Sequence, residues 1–399
     1  MNNFKSNSIT AHPAITRVLQ NILDQALLHS FQEIQIEPDQ HNLLVSYRQY
    51  GELNEPIAMP IHLHADISKQ LKILCDLPSD EPIKKTITGV FKKKMPGQNT
   101  LFKTTFLPVK FGEKFVIEIF PNRNKLFNIH DIGLADEQLF TLQRLLEKKR
   151  GIILITGPEN SGTTSTAYSI LSHLNLPSLN IYTLEDQVEY NFKHLNQLAV
   201  NPRQGLGFPA GWQAIKKQDA DVIYLSRLDQ DIPLNDISAM GTNKLILADL
   251  TVDDAFSGLA EFFRPEQNKT LTAESLSLIL NQRLANSICP NCKTTHQLSR
   301  QQLRALESKF DLDDTEKLSQ LTFYRGNGCP QCNYAGTTQD KTPLFEIIEV
   351  DEALTNSLIK HGLSWQTKKL LEDRPSIYED GLSKALEGKI SIDELLRVF

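Results

Sequence analysis

Several things are scarce in this 399-residue chain. No stretch approaches the roughly 18 consecutive apolar residues that a membrane helix needs. The opening segment, MNNFKSNSITAH, has no apolar core of the kind an export signal carries, so nothing suggests export. Positive charge is not in excess: Lys+Arg total 42 against 48 for Asp+Glu, a net charge of −6. That argues against a global electrostatic grip on nucleic acid and leaves room only for a local basic patch. Cysteine is sparse, with five in all. Four of them fall in two C-x-x-C pairs, which in a reducing cytosol reads as metal binding rather than disulfides. There is no internal repeat and no low-complexity segment. What remains is an ordinary globular balance, 40% hydrophobic and 23% charged. It excludes a wholly disordered or fibrous chain, and the length suits two or three domains with a buried core.

Apolar residues at Ile15, Val18, Leu19, Ile22, Leu23 and Ala26 predict a helix over 13–29. Alternating runs at Ile34 and Ile36, at Leu43, Val45 and Tyr47, and at Phe115, Ile117 and Ile119 predict strands. Residues 1–125 thus read as a small α+β domain. Pro and Asn in PNRNKLFN (121–128) mark a linker, taken as 126–134 in the domain division. From 135 to 284 a helix (135–148), the apolar strand Ile152–Ile155, a helix from about Ser165, and strands Ile181–Leu184, Val222–Leu225 and Leu245–Leu250 alternate. That alternation predicts a doubly wound α/β domain with a parallel sheet. Residues 285–345 hold the cysteine pairs around a helical stretch, and 346–399 read as a charged helical part.

Gly157-Pro-Glu-Asn-Ser-Gly-Thr-Thr164 lies between a buried strand and a helix. That is the place of a P-loop, G-x-x-x-x-G-K-[ST], whose backbone N–H groups cradle phosphates at a helix N-terminus. Gly157 and Gly162 have the right spacing, and Thr164 takes the Mg²⁺-ligand position, but the lysine position holds Thr163. Alone, the segment fits either a degenerate phosphate loop or a structural strand-to-helix turn. The pairs Cys289/Cys292 and Cys329/Cys332 form two knuckles separated by 36 residues. Four thiolates from two such turns suit tetrahedral Zn²⁺ and leave no open position, so the site is expected to be structural, pinning an excursion without its own core. Cys75 reads as a small buried hydrophobe.

The chain resembles the hexameric ATPases of type II secretion and type IV pilus assembly, from about residue 13 to the C-terminus. GPENSGTTSTAY stands where that family has GPTGSGKTTTLY, and IYTLEDQVEY (181–190) where it has IxTiEDPVEY. KQDADVIYLSRLDQ (217–230) matches the Walker B segment RQDPDxixxGEIRD. NKLILADLTVDDA (243–255) matches the histidine box GHLVLSTLHTNDA, and NQRLANSICPNCK (281–293) matches AQRLxRxLCxxCK. The resemblance implies a RecA-like P-loop domain after a PAS-like α+β domain, with a similarly long tetracysteine insert. It also implies a nucleotide site built from Gly157, Ser161, Gly162, Thr163, Thr164, Glu185 and Asp221, and partners among secretion or pilus machinery subunits. The expected assembly is a homo-hexamer or a mixed hexamer with an active ATPase, in the cytoplasm or at the cytoplasmic face of the inner membrane.

Three departures bear on that site. Thr163 replaces the lysine that clamps the phosphates. Arg227 replaces the glutamate that polarises water. Thr251 replaces the histidine that senses the γ-phosphate, while Asn243-Lys244 stand for the box's Gly-His. Glu159 adds a negative charge to the loop; a like-charge contact at 4 Å costs on the order of 4 kcal/mol at an effective dielectric of about 20. Phosphoryl transfer depends on positive charge around the γ-phosphate, so no catalytic residue is expected and ATP/Mg should bind poorly.

In the N-terminal domain Arg48 and Gly51 match ASDIHIEP…vRyRIDGvL, but Ser46 and Tyr50 do not. Lys103 and Glu118 replace arginines that reach the phosphates in the family, and GEK (112–114) is retained. Lys84, Lys85, Lys92, Lys93 and Lys94 form a basic cluster that reads as a solvated hairpin or as a contact for a partner or an anionic surface. Because the resemblance begins near residue 13, the family's N-terminal extension, which docks on the membrane platform, is expected to be absent.

The expected function is a non-catalytic relative of these ATPases, a regulatory or structural subunit carrying Zn. The alternatives are a weakly active ATPase recruiting Lys216, Lys217 or Lys244, and a zinc-ribbon nucleic-acid binder, which the net charge disfavours. Arg227 is expected to pair with a nearby carboxylate, Glu185 or Glu159 first, Asp186 and Asp221 after, or else to point to solvent.

Overall fold

A computed structural model describes residues 13–29, 31–49, 52–79, 81–95, 98–121, 127–201, 205–228, 232–264, 268–310 and 321–399. Tyr50, Gly51 and residues 122–126 of the PNRNKLFN segment lie outside these residues. The chain forms two compact units, Met1–Lys125 and Leu126–Phe399.

In the first unit, helix α1 (Pro13–Leu28) precedes strands β1 (Glu33–Pro38), β2 (Asn42–Gln49), β3 (Glu52–Leu53) and β4 (Ile57–Pro60). Helix α2 (Leu63–Leu74) and strands β5 (Ile87–Met95), β6 (Gln98–Val109) and β7 (Gly112–Pro121) follow. The sheet runs β3-β2-β1-β7-β6-β5, with β4 also on β2, and these pairings are antiparallel. Period-2 alternation puts Ile34, Ile36, Val45, Phe102, Phe106, Phe115 and Ile117 on one face. There they pack with Leu19, Leu23, Ile67 and Leu71 of the helices. Cys75 is buried in this core, as a small hydrophobe would be.

The second unit opens with α3 (Asp136–Glu147), β8 (Gly151–Gly157), α4 (Thr163–Leu174), β9 (Ile181–Glu185), β10 (Leu195–Ala199) and α5 (Phe208–Lys216). It continues with β11 (Val222–Leu225), α6 (Leu234–Gly241), β12 (Leu245–Thr251), α7 (Ala255–Phe262), α8 (Lys269–Ser275) and β13 (Leu276–Ile288). Next come β14 (Lys293–His296), α9 (Arg300–Phe310), β15 (Phe323–Gly326) and β16 (Thr337–Glu349). Four helices close the chain: α10 (Glu352–His361), α11 (Trp365–Glu372), α12 (Ile377–Leu386) and α13 (Ile392–Val398).

The sheet order is β10-β9-β11-β12-β8-β13-β16. Apolar residues cover both faces, Trp212, Ile223 and Ile279 on one and Ile153, Tyr168 and Leu247 on the other. That explains why β8 is buried at every position and reads as a continuous apolar run.

The expectation of a parallel sheet needs correction. From β10 through β13 the strands are parallel, but β16 returns antiparallel on β13, so the sheet is mixed. β13 and β16, of 13 residues each, carry the cysteine segment on a long hairpin. The expected boundaries at 284/285 and 345/346 therefore fall inside strands. Nor does the excursion lack a core. Leu306 and Phe323 pack with Leu344, Ile377, Ile390, Ile392 and Leu395, so the C-terminal helices share it.

Candidate functional site

The loop after β8 is shaped by close approach to β13. A Cβ on Gly157 would lie 2.4 Å from the Gln282 carbonyl oxygen and 2.4 Å from Ser161 Oγ. Gly162, with φ of +86°, is the N-cap of α4, and a Cβ there would meet Gln282 Nε2 at 2.8 Å. Gln282 Nε2 donates to the Ser161 carbonyl at 2.7 Å, and Gln282 Oε1 accepts from Thr166 Oγ1 at 2.6 Å. Both glycines are thus required by the fold whether or not a ligand binds. Glu159 and Asn160 are exposed at the tip, Ser161 is buried, and Thr163 and Thr164 are half-buried on the first turn of α4.

The other positions fall at two opposite ends of the sheet. Thr251 ends β12 in register with Gly157, and Val252 N donates to the Gly157 carbonyl, so position 251 borders the loop. Glu185 ends β9 on the same side. It is fully buried and accepts from Tyr168 Oη, Thr183 Oγ1 and, at 3.3 Å, Gln197 Nε2. Burial raises its pKa, and these hydrogen bonds only partly offset that.

Asp221 is at the other end. It precedes β11, and its carboxylate accepts from Asn180 N at 2.9 Å. A four-residue strand separates it from the loop side by about 13 Å at ~3.3 Å per residue, so it is a strand-end cap and not part of the loop site. Lys244 precedes β12 and pairs with Asp219 at 3.0 Å, and Lys216 ends α5 and pairs with Asp236 at 2.5 Å. Lys217 follows α5 at that same end. None of the three is placed to replace a lysine at 163.

Arg227 also differs from its leading expectation. Its guanidinium is 3.7 Å from Asp186, with both side chains about half exposed (49% and 53%), and lies over the Phe208 ring at 4.8 Å. The expected partner Glu185 is turned inward to Tyr168. The geometry makes Arg227 a surface cation at the strand end.

Sequence reasoning passed over Asp249, a charge inside the apolar run Leu245–Leu250. Asp249 is 6% exposed, and its Oδ2 accepts from Tyr224 Oη at 2.9 Å. Burial drives its pKa well up, and the neighbouring Glu185 and Glu189 charges act in the same direction. The signal was present: a carboxylate in a strand buried on both faces is costly without a partner.

In the first unit Lys103 and Glu118 face each other across β6 and β7, 3.5 Å apart, and Arg48 pairs with Glu33 at 3.2 Å. Ser46, on β2, lies opposite Gln35. Lys84, Lys85 and Lys92 are exposed, and Lys93 pairs with Asp24.

The four cysteine sulfurs converge at the tip of the β13–β16 hairpin, all within 4.8 Å of one another. Cys289–Cys329 and Cys292–Cys332 are 3.8 Å apart and Cys329–Cys332 3.7 Å. Those separations exclude a disulfide, whose bond is about 2.05 Å. The N–H groups of Cys329 and Gly336 donate to Cys332 Sγ at 3.2 and 3.3 Å. Burial opposes the Cys332 thiolate, but these donors outweigh it and bring the thiol down to about 7. Asn333 and Tyr334, at φ of +48° and +63°, turn the second knuckle back. Four convergent soft donors, with N–H groups aimed at sulfur, could hold a metal ion.

A family model described as Type II/IV secretion system protein matches residues 9–397. The type II secretion system ATPase E of Vibrio cholerae is 28% identical over 386 residues, spanning 96% of this chain and 75% of that protein. The type IV pilus assembly ATPase PilB of Pseudomonas aeruginosa is 30% identical over 392 residues, spanning 96% and 67%. Among solved structures, the pilus retraction motor PilT with bound ADP matches with a TM-score of 0.64 at 18% identity, over 95% of this chain and 96% of that one. The ATPase DotB of Legionella pneumophila matches with a TM-score of 0.64 at 13% identity, over 98% and 96%. The two structures share this fold.

Proposed function

The chain belongs to the Type II/IV secretion system protein family, and we propose that within it this member is a pseudo-ATPase: a regulatory or structural subunit of a secretion or pilus machine. The observation that carries this reading is the charge around the loop. Thr163 stands at the lysine position, Glu159 is at the tip, and Asp249 is buried alongside Thr163. Among the described residues no lysine or arginine ion pair reaches Glu159, Glu185 or Asp249. A β/γ-phosphate would meet acid groups where the family's motif supplies a lysine, without the positive charge that phosphoryl transfer relies on. The other positions add support. Arg227 cannot accept a proton from water, Thr251 carries no ring nitrogen, and Lys103 and Glu118 satisfy each other.

In this reading the subunit lies in the cytoplasm, at the inner-membrane face of its machine. It assembles with itself or with an active ATPase, since its relatives are named as components of secretion and pilus systems. No helix of the described residues is long and apolar enough to cross a membrane.

The cysteine centre is proposed to be structural zinc. Tetrahedral ligation with Zn–S of about 2.3 Å requires S···S separations of about 3.8 Å, close to the 3.7–3.8 Å found for three of the pairs. Cys289, Cys292, Cys329 and Cys332 would fill all four positions, so the ion would hold the knuckles and carry no reaction. Steady-state ATP turnover, with Thr164→Ala as control, tests the main reading. Turnover abolished by Thr164→Ala overturns it.

A further inference from the structure

The loop is not merely short of a cation; a carboxyl group of its own chain is buried beside it. Asp249 lies on β12 in register with Ile155 of β8, two residues before Gly157. Its Oδ2 is held by Tyr224, while its Oδ1 is buried with no hydrogen-bond partner. Ser161 Oγ, within the loop, is likewise buried and unpartnered. Thr163, the first residue of α4, sits beside Asp249. A protein carboxyl therefore stands beside the first residue of the 12-residue helix α4. That is the place where such a loop takes an external anion. In the histidine box quoted above, the position of Asp249 is a threonine and the position of Thr163 in the P-loop is a lysine. Two neighbouring positions have thus changed, one without the lysine's charge and the other with a carboxyl group in place of a hydroxyl.

We propose that Asp249 is an internal occupant of the phosphate loop, so that the loop rejects nucleotide because of this carboxyl as well as for want of a lysine. The inference rests on the reading in the preceding subsection and adds a specificity-determining residue to it. Restoring the lysine alone does not restore the site, because the introduced ammonium is captured by Asp249.

The experiment compares the full chain with Thr163→Lys and with Thr163→Lys/Asp249→Asn, the asparagine keeping an acceptor for Tyr224. Calorimetry with Mg·ATP is expected to show the double variant binding at least tenfold tighter than Thr163→Lys. Binding by the two within twofold overturns the role of Asp249. Low-micromolar binding by the unmodified chain overturns the rejection of nucleotide, whereas turnover abolished by Thr164→Ala overturns the preceding reading, so the two failures are distinguishable.

A second measurement needs no asparagine variant: melting temperature against pH from 5 to 9. The titratable groups facing Asp249 are Tyr224 on β11, Glu185 on β9 and Glu189 beyond it, with Tyr168 on α4 next to Tyr224. The unmodified chain should lose stability as pH rises through the Asp249 titration, and Thr163→Lys should flatten that loss by pairing with the carboxylate. An unchanged slope in Thr163→Lys overturns the proposal.

Discussion

Arg227 is the position where burial decides the magnitude. A buried pair broken by charge reversal costs about 3–5 kcal/mol, but Arg227 and Asp186 are about half exposed and 3.7 Å apart. At that distance the Coulomb energy is about 1 kcal/mol in a water-like dielectric. Ordering two solvated side chains cancels much of it, leaving about 0–1 kcal/mol. Stacking on the Phe208 ring at 4.8 Å adds about 0.5–1 kcal/mol. Arg227→Ala should therefore destabilise the second unit by about 1 kcal/mol, a shift of ~2–4 °C for a unit of this size. Arg227→Glu places a carboxylate near Asp186 and should cost about 1 kcal/mol more at low salt. That excess should fade in 0.5 M NaCl, because ions screen exposed charges. Calorimetric melting at two salt concentrations checks this, and Arg227→Gln separates stacking from charge. A loss above about 4 kcal/mol, insensitive to salt, would refute the reasoning, since only a desolvated cation behaves so. Arg227→Glu should also fail to produce turnover, because Thr163 and Thr251 remain.

Other expected outcomes are more direct. Freshly purified protein should carry about one zinc per chain, and Cys289→Ser should lower it well below one by metal analysis. Chelation should loosen the knuckles and the β14–β15 pair while the main sheet survives, because Leu306 and Phe323 keep their packing on the C-terminal helices; proteolysis confined to 289–336 reports that, and global unfolding contradicts it. Mg·ATP should bind about 10- to 150-fold more weakly than to a loop with its lysine, from loss of a charged hydrogen bond worth roughly 1.5–3 kcal/mol, and low-micromolar affinity by calorimetry would disprove this. Burial holds Glu185 protonated to higher pH than in the unfolded chain, so the native state binds more protons between the two pKa values and stability falls as pH rises through that window. Glu185→Gln should flatten that fall in urea titrations, and an unaltered profile would count against the buried acid. Gly162→Ala should cost more than 1 kcal/mol, from its positive φ and the approach of Gln282, with or without nucleotide in the melting assay.

Local chemistry alone marked much of this protein. Period-2 alternation placed Ile34, Ile36, Phe115 and Ile117 on one face of a sheet, because side chains of a strand alternate whatever its neighbours are. The continuous run Ile152–Ile155, with a Gly-rich turn after it, identified a doubly covered strand and its loop. Two C-x-x-C turns identified a convergent thiol site, because each knuckle is a local structure. Three things waited on the tertiary fold. The antiparallel return of β16 on β13 depends on pairing between segments about 60 residues apart, which no local pattern encodes. The end of the sheet on which a residue stands depends on strand direction; that separated Asp221 and Lys244 from the loop, although they sit in the same motifs as Arg227 and Thr251. Solvent exposure made Arg227 a surface cation, and burial made Asp249 an acid without a counter-ion. In one dimension one is a single charge within an apolar run and the other a single charge just after one, and only the surrounding elements decide which of them meets water.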